Sequence, residues 1–296
     1  MELPVDAPAA SVTGKVMVYD GECPMCCALS AAFVRAGVFP EAERRPYLDF
    51  EGELATRLWE GGIRNEILIL DPASGELRAG ARGILWMLRS TWAGPLARLL
   101  SLRPLVDLCS VAYRLLAYNR RFLSVPKPRA MACACDPDER PGYTWLLIAL
   151  AASLAAGAVT LVGAQAPAEL RVVGSRLGLL GPLVKTAGPW GLPALGALFA
   201  PAGERLRYAA HLAVTAGAGG LALLPLGLAG LLAPDAVAQA YGTLLQVSCL
   251  AAGGWMLALW RRRVAFLALS PTWLWTWAAG AGLGLFALGW LHVVRG

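Results

Sequence analysis

Four stretches of this chain carry no charged residue and are each at least 21 residues long: 143–163, 208–232, 239–260 and 273–294. A helix of that length crosses the hydrocarbon core of a bilayer, which is about 30 Å thick. No other feature restricts the possible folds so strongly, because a backbone inside lipid must satisfy its own hydrogen bonds and so forms helices or a closed barrel. A fifth stretch, 179–200, is apolar but interrupted by Lys185 and three prolines. It reads as a broken or re-entrant span, a form tolerated only against protein or water.

Loop charges orient the helices. With five spans and the first half inside, Arg205 and Arg207 lie inside, as does the run Arg261-Arg262-Arg263. The 233–238 connection lies outside and carries no basic residue. This obeys the positive-inside rule, with Arg171 and Arg176 as minor exceptions. Gly- and Ala-rich spans such as "GAGGLALLPLGLAG" allow helices to approach closely. Residues 143–296 therefore read as an all-α transmembrane bundle of about five spans. His211, at the start of one span beside Arg205 and Arg207, reads as a headgroup-level residue.

The charge balance supports this division. Residues 1–142 hold 17 Lys+Arg and 17 Asp+Glu; residues 143–296 hold 9 and 3, and supply the whole net charge of +6. A basic excess confined to the apolar half fits membrane topology and excludes nucleic acid as the expected partner. The expected partner is a lipid membrane, most simply the cytoplasmic (inner) membrane. The N-terminus, "MELPVDAPAASVTGK", lacks the basic and apolar regions of a secretory signal. The first half is thus expected in the cytoplasm, where thiols stay reduced, and the six of the seven cysteines that it holds argue for metal or redox chemistry over structural disulfides.

That first half reads as α/β. Residues 1–14 read as a disordered tail. "KVMVYD" (15–20) reads as a buried strand, and Pro24 to Ala36 carries helical periodicity closed by Gly37. "RRPYLDF" (44–50) reads as a strand that Pro46 pushes to an edge. Residues 52–62 read as a short helix, 66–80 as a hairpin turning at 72–75, and both 81–90 and about 96–121 as helices. Residues 125–142 form a Pro-rich linker containing Cys133 and Cys135.

The chemistry is concentrated in "VYDGECPMCC". Cys23 and Cys26 form a Cys-X-X-Cys pair between the first strand and first helix. Unpaired amides and the positive dipole end at a helix N-terminus stabilise a thiolate, which is a nucleophile at neutral pH. Pro24 suits a first helical position, which needs no N–H. Cys26, one turn on, is placed to resolve a mixed disulfide at Cys23. Asp20-Gly21 makes the tight turn, and Asp20 either relays protons or caps the helix. Cys27 reads as a small packing residue, as do Cys109 and Cys249.

"YDGECPMC", from Tyr19 through Gly21 to Cys26, resembles the signature of the DCC-type thiol-disulfide oxidoreductases, a thioredoxin-like family. "AYRLLAYNRRFLS" (112–124) resembles the Tyr-X-X-X-X-X-Asn-Arg helix that commonly closes such domains, with Asn119 and Arg120 matching. The resemblance covers about residues 15–124. It implies a thioredoxin-like fold for that segment, Cys23 and Cys26 as the redox pair, Asp20 as the motif acid, and no cofactor. It also implies a protein or small-molecule disulfide or thiol substrate and a cellular thiol reductant. It gives no role for Asn119 or Arg120. Thioredoxins place a cis-proline before the strand facing the active cysteines; "IRNEILIL" has none.

Two other readings stay open. In one, the four cysteines 23, 26, 133 and 135 hold a metal; a structural zinc wants four ligands in two close pairs, and Cys-X-Cys is tight for one. Cys133 and Cys135 are alternatively an inert feature of the linker, or a second dithiol exchanging with Cys23. In the other, the bundle transports or processes a small molecule, with the dithiol domain regulating it. The redox reading assigns no metal.

Overall fold

A computed structural model describes residues 12–124, 137–163, 197–198, 200–232 and 238–266. The chain divides into two compact units, Met1–Tyr143 and Thr144–Gly296. The stretch 273–294 and Lys185 lie outside the described residues, as do Cys133, Cys135 and residues 1–11.

In the first unit the described residues form a four-stranded sheet ordered β2-β1-β3-β4. Its strands are β1 (Val16–Tyr19), β2 (Arg44–Pro46), β3 (Leu68–Leu70) and β4 (Leu77–Ala79). β1 runs parallel to β2 and antiparallel to β3, and β3 is antiparallel to β4. Successive strand side chains point to opposite faces. Met17 and Tyr19 therefore join Ile67, Ile69, Ile84 and Met87 in one core, while Val16 and Val18 join Leu58, Leu68 and Leu70 in the other. Both faces of the central pair are buried, which explains why "VMVY" and "LIL" are continuous apolar runs rather than alternating ones.

Helix α1 (Pro24–Arg35) and helix α3 (Gly80–Leu88) contribute to the first core; α2 (Gly52–Glu60) covers the second through Leu58. β2 does lie at the sheet edge, but it is shorter than the sequence pattern implies. After Pro46 the chain turns into a 3-10 turn, Tyr47–Asp49. The segment expected as one long helix is three: α4 (Gly94–Leu100), α5 (Leu105–Tyr118) and α6 (Arg120–Leu123). Pro104 ends the first run, since proline has no N–H to continue a helix. Asn119 breaks the second: its side-chain amide donates to the carbonyl of Leu115, a local bond that competes with helix continuation.

The ends of this unit are fastened. Thr13 donates its N–H and its hydroxyl to the two carboxylate oxygens of the buried Glu43, at 2.7 Å each. After the linker, Asp138 exchanges two hydrogen bonds with the Asn65 side chain and pairs with Arg64. Arg121 donates to the carbonyl of Pro137. The last part of the expected linker is thus held on the 64–65 loop.

Among the described residues, two helices are long and apolar enough to cross a membrane. They span Pro141–Val162 and Ala202–Gly230, with mean hydropathies of 2.2 and 1.8. The first belongs to α7 (Pro141–Gly163), the second mostly to α8 (Arg205–Leu232). A third long helix, α9 (Ala238–Phe266), contains the apolar stretch 239–260 and ends beyond the arginine triplet. Within the second unit, α8 lies close against α7 through glycines. A Cβ at Gly217 would meet Ala151 at 3.0 Å, and one at Gly220 would meet Ala155 at 3.0 Å. Small residues at such crossings are what membrane helix pairs use. Tyr208 packs edge-on against Trp260 at 5.4 Å between α8 and α9. His211 is not at the surface: it is 2% exposed, and its Nδ1 accepts from Arg263 Nη1 at 2.9 Å. The sequence could not show this pairing, because the two residues are 52 positions apart.

Candidate active site

The cysteine pair sits where β1 hands over to α1. Cys23 is the N-cap residue of α1, in extended conformation, with Pro24 in the first turn. Its Sγ accepts the backbone N–H of Cys26 at 3.3 Å. One unpaired helix amide is therefore satisfied by sulfur where a serine or aspartate oxygen commonly serves. Asp20 shapes the preceding turn: its Oδ1 accepts the N–H groups of Glu22 and Cys23 at 3.0 and 3.2 Å. Gly21 is required by close approach, since a Cβ there would lie 3.0 Å from Pro46 Cβ on the neighbouring strand.

Both sulfurs are nearly enclosed: Cys23 is 5% and Cys26 6% exposed. Both are free thiols. The two Sγ atoms and a carboxylate oxygen of Asp20 all lie within 4.8 Å of one another.

A fourth group completes the site. Arg120, at the start of α6, is 4% exposed. Its Nη1 reaches Cys26 Sγ at 3.4 Å. Its Nη2 donates to the carbonyl of Arg64 at 2.5 Å and stands 3.7 Å from Asp20 Oδ2. Asp20 Oδ2 has no hydrogen-bond partner among the described residues, so the guanidinium is the charge that compensates it. Burying a carboxylate without such a partner is strongly unfavourable.

These contacts separate the two thiols. Cys23 is lowered from the ordinary 9.0 to about 6. The hydrogen bond from the Cys26 thiol is the largest cause; burial opposes it, and the Cys26 backbone N–H and the Arg120 charge add to it. Cys26 is raised, first because its proton is held in that hydrogen bond and then by burial. One thiol is ionised near neutrality and its neighbour is kept as its proton-bearing partner, an arrangement that suits a nucleophile and a resolving group.

Cys27 stands apart. It donates to the carbonyl of Gly21 at 3.1 Å, and burial raises its pKa. Tyr19 lies in the core, with the Arg44 guanidinium over its ring at 4.5 Å.

The closing segment has structural roles that its spacing did not reveal. Tyr113, from α5, accepts the backbone N–H of Ile67 on its hydroxyl at 2.7 Å. Ile67 directly precedes β3 and shares a core cluster with both cysteines. A proline there would leave no N–H for this bond. Asn119, fully buried, donates to the carbonyl of Tyr143 at 2.9 Å and so fixes the first turn of α7 to the end of α5. Arg120 thus touches the site, Tyr113 holds Ile67 beside it, and Asn119 anchors the segment that carries Arg120. The Tyr-X-X-X-X-X-Asn-Arg spacing was the signal for all three, although its meaning depended on where α6 begins. Arg64 and Asn65, by contrast, act through a backbone carbonyl and an amide on an irregular loop, and left no mark in the sequence pattern.

Comparison of the chain with family models, with curated proteins and with solved structures finds no match.

Proposed function

We propose that this chain is a membrane-anchored thiol–disulfide oxidoreductase of the DCC type, with a thioredoxin-like domain carrying the Cys23–Cys26 pair. The observation that carries the reading is Cys23 at the helix N-cap, its sulfur accepting the Cys26 backbone amide, beside a buried Cys26 touched by Arg120. The β1–α1–β2 start with a parallel strand pair, followed by an antiparallel hairpin, supports the thioredoxin-like expectation. The two apolar helices support the anchor.

In this reading the Cys23 thiolate attacks one sulfur of a substrate disulfide. A mixed disulfide forms at Cys23, and the first substrate thiolate leaves. The Cys26 thiol then gives up its proton and attacks Cys23 Sγ, releasing the second substrate thiolate. The Cys23–Cys26 disulfide remains, two electrons have passed to the substrate, and a cellular thiol reductant restores the pair. Asp20 is the carboxylate near enough to take the Cys26 proton, directly or through one water. Arg120 steadies the thiolate that forms on Cys26. The domain faces the cytoplasm in this reading, where the reductant pool lies.

The test is thiol trapping in cells combined with a Cys26→Ala variant. That variant is expected to accumulate mixed disulfides at Cys23. Full disulfide-exchange activity in Cys23→Ser would overturn the reading.

One observation favours a second reading. Asp20, Cys23 and Cys26 present three donor atoms within 4.8 Å, enough to begin a metal site. The Arg120 guanidinium against both Cys26 and Asp20 weighs against a cation there. Metal analysis of protein purified under reducing conditions separates the two: stoichiometric zinc bound to these groups would replace the redox reading.

A further inference from the structure

Helix α4 and its flanks present a surface that the redox site does not use. Trp92 is 70% exposed, and Leu96, Leu99 and Leu102 are each more than half exposed. Leu96 and Leu99 are three residues apart on one helix, hence on one face, and Leu102 follows in the turn after it. Ala97, on the opposite side, is buried against the rest of the unit. Arg89, Arg98 and Arg103 are exposed among these apolar groups. Residues 89–106 contain no acidic residue at all. A tryptophan and leucines on an exposed face, interleaved with arginines and free of carboxylates, match the composition of segments that lie in a headgroup layer.

Within the first unit this surface connects to the residues that open α7. Helix α5, which packs against α4, ends at Tyr118. There Tyr118 stacks on Tyr143 at 5.3 Å, and Asn119 donates to the Tyr143 carbonyl. Tyr143 lies in the first turn of α7, the apolar helix whose candidate span is Pro141–Val162. The 14 residues of α5 cover about 21 Å at 1.5 Å each. The α4 surface is thus tied, by one short helix, to the first turn of α7.

We propose that the segment 89–103 docks on the anionic headgroup layer of the same membrane, with Trp92, Leu96, Leu99 and Leu102 entering the interface and Arg89, Arg98 and Arg103 meeting lipid phosphates. This rests on the reading of α7 as a membrane span. Docking holds the redox domain on the surface, so that Cys23 works on disulfides presented within reach of the bilayer. Attraction of basic side chains to anionic lipid supplies the charge complementarity, and salt screens it.

The experiment uses the full chain in nanodiscs. An environment-sensitive fluorescent amino acid replaces Leu99 by codon suppression, which leaves the native cysteines untouched. In phosphatidylglycerol nanodiscs its emission is expected to be blue-shifted and quenched by lipids brominated on the acyl chain. The double variant Arg98→Glu/Arg103→Glu is expected to lower the lipid-contacting fraction roughly tenfold or more. Those side chains are exposed, so folding is retained. A water-like emission in the nanodisc overturns the proposal and leaves the span standing. So does a blue shift that bromolipid does not quench, which means another part of the chain or a second copy covers the surface; dilution tells these apart. Extraction of the protein from membranes by alkaline carbonate overturns both the span and the proposal.

Discussion

Arg120 Nη1 lies 3.4 Å from Cys26 Sγ, although the two residues are 94 positions apart. The same guanidinium faces Asp20 at 3.7 Å. A single buried cation therefore serves a thiol and a carboxylate on the turn that begins α1. Removing it as Arg120→Met leaves Asp20 as an uncompensated buried charge, with an expected loss of about 3–5 kcal/mol in stability. Hydrogen exchange of the β1 and β3 amides in solubilised full-length protein would measure the loss. Adding Asp20→Asn should recover part of it; no recovery would mean the two groups act independently.

The pH profile of Cys23 follows from its lowered pKa. Alkylation by a small haloacetamide should rise with pH and reach half its maximum near about 6, well below the ordinary thiol value of 9.0. Between those values the folded state has released a proton that the unfolded chain still holds. Stability from this thiol is therefore present above pH 9 and is lost as pH falls through about 6. Cys26, raised, acts in the opposite sense above its ordinary value. The Arg120→Met variant should move the Cys23 midpoint upward, since the arginine charge lowers it. Cys27→Ser should leave the midpoint in place, because that sulfur hydrogen-bonds to Gly21 and not to the pair.

Tyr113→Phe removes the acceptor of the Ile67 N–H. An orphaned buried amide costs about 1–3 kcal/mol, so the variant should fold but melt earlier. The readout that separates bracing from bulk destabilisation is the Ile67 amide itself. Its exchange should accelerate more than that of Ile69, which stays within the β3 ladder.

Gly217→Leu should separate α8 from α7. Even a Cβ at that position stands 3.0 Å from Ala151 Cβ and 3.2 Å from its Cα and carbonyl oxygen, and backbone cannot yield as a side-chain tip does. Cysteine-free variants carrying a crosslinkable pair across the two helices should lose crosslinking yield, while Gly253→Leu, where an added Cβ meets nothing within 4 Å among the described residues, should keep it.

Most of the local plan was legible in the sequence. The runs "VMVY" and "LIL", the Pro24 start of α1, the Gly37 stop and the hairpin around residues 72–75 are set by short-range sterics and by side-chain period. The apolar helices Pro141–Val162 and Ala202–Gly230 are likewise a matter of length and hydropathy. The break at Asn119 was hidden because the surrounding residues are good helix formers; a side-chain bond to Leu115 and a tertiary bond to Tyr143 decide it.

"CPMC" by itself determined which two thiols share a helix turn, because spacing and proline chemistry act within four residues. Only the tertiary structure decided what surrounds them. The Asp20–Arg120 pair, the Tyr113 cap on Ile67 and the His211–Arg263 contact each join residues at least 46 positions apart. Such pairs are selected by the cost of burying charges and amides without partners, a cost that arises only after packing has removed water.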